Sequence, residues 1–136
     1  MEIAVGRFYR FKHRGKWPPS LQKSIPDDKL YFIHPVIVIA IQGMDLVDVV
    51  TTTSSPAFST NAANYIRISQ TVSKRLTDLT DPLIVNNKLP RDSCVVLDSK
   101  RRVNSAILEL WIEEGVQFQL GKNSKKRLVQ KVDERM

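Results

Sequence analysis

A chain of 136 residues, 42% hydrophobic and 26% charged, has the size and composition of one folded domain, which excludes wholesale disorder. Its 21 Lys and Arg against 14 Asp and Glu leave a formal charge of +7. A surplus of that size favours a polyanionic partner, nucleic acid first and an anionic membrane second, although a merely solvated surface accounts for it equally well.

In chain order, "MEIAVGRFYRF" lacks the apolar core of a signal peptide, and residues 3–12 alternate apolar and basic as a first strand would. The next stretch, "HRGKWPPSLQKSIPDDK", holds three prolines and a glycine among Arg14, Lys16, Lys23 and Lys29, which predicts a loop without regular structure. Residues 35–41 are rich in branched side chains and apolar on both faces, the pattern of a buried central strand. Pro35 is tolerated because it opens the strand, before a ladder donor is needed. The apolar run over 31–41 is too short to span a bilayer, so a soluble cytoplasmic protein without a membrane partner is expected.

"QGMD" predicts a turn into a second strand, "LVDVVTTT", antiparallel to the first. "SSPAFSTNAAN" reads as loop and "YIRIS" as a short strand, while residues 70–90 read as a loop or helical insertion. A further strand is expected over "SCVVLDSKRRV", in which Cys94 is a buried structural thiol; as the only cysteine it permits neither an internal disulfide nor a cysteine-based zinc site. "NSAILELWIEEG" favours a short helix capped by Asn104 or Ser105 and stopped at Gly115, with strand an alternative for its first half. "VQFQL" alternates as a strand, and Asn123 or Ser124 caps a terminal helix with Leu128, Val132 and Met136 on one face. The sum is a mainly β chain with helices (α+β): a barrel or sandwich ending in an amphipathic helix.

The order of these segments resembles the MazF/PemK/Kid toxins. Three stretches carry the likeness: "VGRFYRF", "HPVIVIAI" leading to "VDVVTTT", and "LPRDSCVVLDSKRRV". The resemblance implies one domain over residues 1–136 on an SH3-like antiparallel β-barrel. It also implies a homodimer, an antitoxin-type protein partner and metal-independent cleavage of single-stranded RNA with no cofactor. Two departures stand out. His34 occupies the place of the family's arginine before the proline, and the connection from Tyr65 to Arg91 is longer than usual.

Such cleavage uses the RNA 2′-OH as nucleophile and leaves a cyclic phosphate and a 5′-OH; the protein accepts a proton, donates one and stabilises the phosphorane. The family's catalytic arginine and threonine map onto His34 and Thr51, with Thr52 the alternative if the register shifts by one. Histidine can transfer protons near neutral pH but lacks arginine's permanent charge and bidentate grip on phosphate. A histidine that simply hydrogen-bonds a loop carbonyl is the competing interpretation. For substrate binding, Arg101 aligns with the family's basic position, and Ser93 can donate to a phosphate oxygen. Arg14, Lys16 and Trp17 combine cations with an aromatic face on which a base can stack, unless Trp17-Pro18-Pro19 packs down as a lid. His13 is a second, weaker acid–base candidate, and two histidines with one cysteine offer no metal site. Two other functions fit the same pattern: a catalytically inactive barrel that binds RNA or protein, and a topoisomerase-poison-like toxin.

Overall fold

The structure is a computed structural model that describes residues 3–22, 34–54, 64–69, 82–91 and 93–134. Most of the "SSPAFSTNAAN" loop, residues 70–81 and Met136 therefore lie outside the described residues. What is described is mainly β, with one helix at the C-terminal end.

The strands are β1 (Phe8–Phe11), β2 (Val36–Ile41), β3 (Leu46–Thr53), β4 (Tyr65–Ser69), β5 (Leu83–Ile84), β6 (Ser93–Val96), β7 (Arg101–Asn104), β8 (Leu108–Leu110), β9 (Ile112–Glu113) and β10 (Val116–Gln117). Helix α1 spans Lys122–Asp133. The main sheet runs β5-β4-β6-β3-β2-β1-β8, with β7 beside the first half of β3, and β9 and β10 form a separate hairpin. Every pair is antiparallel except β4 with β5, which is parallel, a departure from the all-antiparallel pattern that the resemblance implies.

β2 is central, as its composition predicts, and each face packs into a different core. Ile37 and Ile39 join Phe8, Val50, Ile66 and Phe118 in one cluster. Val36 and Val38 join Tyr9, Phe11, Trp17 and Val49 in the other. Strict period-2 alternation divides one apolar run between two interiors. A register shift between Val38 and Ala40 marks a bulge where β2 approaches its turn.

The segment from Phe118 to Gly121 connects two strands that lie far apart in the sheet order. Phe8 N–H donates to the Phe118 carbonyl at 3.0 Å and Leu120 N–H to the Gly6 carbonyl at 2.8 Å. On its other side, Asn86 N–H donates to the Gln119 carbonyl at 3.1 Å and Gly121 N–H to the Ile84 carbonyl at 2.9 Å. The "VQFQL" strand is thus shorter than expected, and its second half ties β1 to β5. Gly6, at φ +87°, is required here: a Cβ would sit 2.8 Å from the Lys125 Cδ.

Several sequence expectations need correction. The single strand over "SCVVLDSKRRV" is two strands, β6 and β7, because Leu97–Lys100 turns. "NSAILELWIEEG" is not a helix: a single 3-10 turn at Ser105–Ile107, with Asn104 accepting the Ala106 N–H, leads into β8 and β9. There the open edge of β1 recruits Leu108 and Leu110, and sheet pairing overrides helix propensity. Gly115 does not stop a helix but turns the β9–β10 hairpin, with Glu114 at φ 52° and Gly115 at φ 79°. The loop after β1 holds two short 3-10 turns, Arg14–Lys16 and Pro19–Leu21.

α1 buries Leu128 and Val132 on the first core, with Val129 beside them. Its N-cap is Gly121, not Asn123 or Ser124. Ser124 is one turn in and buried, and its hydroxyl accepts the Ile84 N–H at 2.8 Å, binding helix to sheet.

Candidate functional site

The site is assembled where the central strands end. His34 sits on a bend immediately before β2 and is half-buried. The next carbonyl, that of Pro35, accepts two bonds from Thr52: from its N–H at 3.0 Å and from its Oγ1 at 2.8 Å. The mouth of β2 is thereby fastened to the last turn of register on β3. Across the sheet Thr53 pairs with Cys94, and Ser93 opens β6 just beyond it. His34 and Ser93 therefore flank the C-terminal end of β3 from its two neighbouring strands.

On the other side, β1 pairs Tyr9 with Val36; continuing that register brings Phe11 beside His34. Phe11 carries the loop above it, with its ring 6.5 Å from that of Trp17 and the Arg14 guanidinium 5.0 Å from the Trp17 centroid. The fold thus gathers His34, Thr52, Ser93 and the loop bearing Arg14 and Lys16 at one end of the sheet. Arg101 is not part of this group. It pairs with Val49, four residues before Thr53 on β3, roughly 13 Å away at about 3.3 Å per residue.

The register sends the two threonines to opposite faces of β3, Thr51 to the face of Val36, and both are buried, Thr52 at 2% exposure. Thr51 stands opposite Val36 and is fully buried, with its Oγ1 donating to the Thr52 carbonyl at 3.2 Å. Thr52 stands beside Pro35, one residue from His34, with its hydroxyl committed to the Pro35 carbonyl. Trp17 takes the lid arrangement. It is 2% exposed, its Nε1 donates to the Lys12 carbonyl at 2.7 Å, and Arg14 covers its ring. A base has no open face of Trp17 to stack on, which corrects the stacking role expected from the sequence. Lys16 is exposed above this lid. His13 caps the 3-10 turn, its Nδ1 accepting the Gly15 N–H at 3.3 Å. Ser93 is half-buried and donates to the Arg91 carbonyl at 3.0 Å.

Two residues that sequence reading passed over organise the neighbourhood. The Ser99 hydroxyl accepts the Thr51 N–H at 2.9 Å and donates to the Val96 carbonyl at 2.6 Å. It holds the place where β3 has left β7 and not yet met β6. The signal was the turn-forming pair Asp98-Ser99 inside an apparent strand.

Asp48, 1% exposed, is the second. Its carboxylate accepts Arg102 Nε at 3.0 Å and Gln42 Nε2 at 2.7 Å, with Lys100 Nζ at 3.9 Å. Burial alone would raise its pKa; the hydrogen bonds from Arg102 and Gln42, with the charges of Arg102 and Lys100, outweigh it and hold the pKa below the ordinary value. A lone carboxylate inside "LVDVV" was the signal, because a buried charge demands a cation. Lys100 and Arg102 turn to Asp48 together, as strand alternation requires, leaving Arg101 between them on the opposite face.

Cys94 is fully buried, and burial pushes its thiol up to about 11. Among the described residues no group of three or more His, Cys, Asp and Glu is placed to hold a metal ion, and no helix is long and apolar enough to cross a membrane. Compared with protein-family models and with curated proteins, the chain matches none.

Proposed function

We propose that this chain is a metal-independent endoribonuclease of the MazF/PemK type, acting on single-stranded RNA at the His34 end of the central strands. The observation that carries this reading is the position of His34: a half-buried imidazole immediately before β2, at the end of the sheet where β3 finishes, β6 begins with Ser93 and the Arg14–Lys16 loop follows β1. A histidine there can take the 2′-OH proton and return one to the leaving 5′-oxygen, giving a cyclic phosphate and a 5′-OH. Arg14 and Lys16 supply positive charge for the backbone. We read the architecture as an SH3-like barrel. The bonds from Phe118–Gly121 to both β1 and the β5 edge support closure, and a cytoplasmic homodimer with an antitoxin-type partner completes the proposal.

The test is a digestion of varied RNAs in EDTA with wild type, His34→Ala and His34→Arg. His34→Ala is expected to lose about 10²- to 10⁴-fold, the usual worth of an acid–base group. His34→Arg is expected to retain or raise cleavage. Wild-type protein leaving every RNA intact between pH 5 and pH 9 would overturn the proposal.

A second reading is a barrel that binds RNA without cutting it. One observation favours it: both threonine hydroxyls are committed to backbone carbonyls. It predicts salt-sensitive RNA binding with no product.

A further inference from the structure

Three basic residues in or beside the strands are compensated. Arg10 pairs with Glu109 at 2.8 Å, and Arg102 and Lys100 share Asp48. Those of α1 are arranged differently. Within "KNSKKRLVQKVDE" stand five basic residues, and the two acidic ones come only at the end. Among the described residues none of Lys122, Lys125, Lys126 and Lys131 is in an ion pair. Lys122 with Lys126, and Arg127 with Lys131, are like charges at i,i+4 spacing, which weakens a helix. A helix needing only solubility would intersperse the signs; this one accepts repulsion to keep positive charge together.

Beside that charge lies a shallow cavity of about 680 Å³ between α1 and β2. Its apolar lining is Val5, Ile39 and Val129; Lys125 and Lys126 line it at one end, Asp133 and Glu134 at the other. We propose that α1 is a docking surface for single-stranded nucleic acid, with backbone phosphates on Lys122, Lys125 and Lys126 and an unstacked base in the cavity. Charge complementarity names the occupant. The lysines match phosphates, the apolar floor matches a base face, and the carboxylates accept from exocyclic amino groups. An anionic membrane fits less well, because the apolar residues of α1 pack toward the core: Leu128 and Val132 are each 1% exposed and Val129 is half-buried against them, so the helix presents no apolar face to insert among lipids. Ile39 is five residues along β2 from His34, roughly 16 Å at about 3.3 Å per residue, so this surface is separate from the proposed cleavage site and goes beyond that reading.

The test is fluorescence anisotropy with a short labelled 2′-O-methyl oligonucleotide, which binds without being cut, as a single strand and as a duplex over a salt series. Lys122→Gln/Lys125→Gln/Lys126→Gln should lose on the order of 100-fold in affinity at 50 mM salt, and its log–log salt slope should shrink by about 2, at about 0.7 per phosphate contact. Arg67→Gln/Lys88→Gln, removing exposed charge elsewhere, should change little, and wild type should prefer the single strand. Circular dichroism checks that the variants fold. Equal losses per charge in both variants, a preference for duplex, or binding to anionic vesicles in place of the oligonucleotide would each overturn the proposal. Binding that depends on the helix lysines, without cleavage of ordinary RNA, would uphold it while sinking the ribonuclease.

Discussion

The hydroxyl of Ser99 accepts the backbone N–H of Thr51 at 2.9 Å, where β3 passes from one partner strand to another. Val49 pairs with Arg101 on β7 and Thr52 with Val95 on β6, and between them the serine hydroxyl takes the Thr51 amide. Ser99→Ala removes that buried hydrogen bond and should cost about 1–3 kcal/mol in urea denaturation, whereas Ser99→Thr should recover most of it. An Ala variant within about 0.5 kcal/mol of wild type would mean that water replaces the hydroxyl.

Asp48 makes stability depend on acid. Its folded pKa lies below the ordinary 3.8, so its contribution is complete above that value and is lost as pH falls through the folded pKa. Asp48→Asn should lower stability at pH 7 by roughly 2–3 kcal/mol, less than the 3–5 of a fully buried pair because the Arg102 side chain is 56% exposed. It should also flatten the stability profile below pH 5. Urea midpoints of both proteins across pH 3–7 check both expectations.

Gly6 combines a left-handed backbone with a close neighbour. Gly6→Ala should destabilise by about 1–2 kcal/mol from the backbone alone, with the Lys125 contact adding to it. In a Lys125→Ala background the added part should vanish and the backbone part remain, which a double-mutant cycle measures directly.

Cys94 should be inert in the native state. Fully buried and raised to about 11, the thiol stays protonated at pH 8, so a disulfide reagent should label it only as fast as the protein unfolds. Rapid stoichiometric labelling without denaturant would contradict that burial.

The sequence by itself determined the features that depend on short-range periodicity. The unbroken apolar run over 36–39 required a strand buried on both faces, and two separate cores receive its alternate residues. The spacing of Leu128 and Val132 required a helix lying on the core, and "SCVVL" required a buried thiol. Only the tertiary structure decided the rest. Trp17 as a lid, Thr51 as a buried group and Asp48 as a paired anion all depend on partners supplied by other segments. Thr51 meets Ser99 across 48 positions, and Arg102 meets Asp48 across 54. The residues over 104–113 carry a helix's signals and became a turn and strands because β1 presented an open edge. Local pattern specifies which side chains must be buried; the partner that completes each buried polar group or strand edge is set by how the whole chain folds.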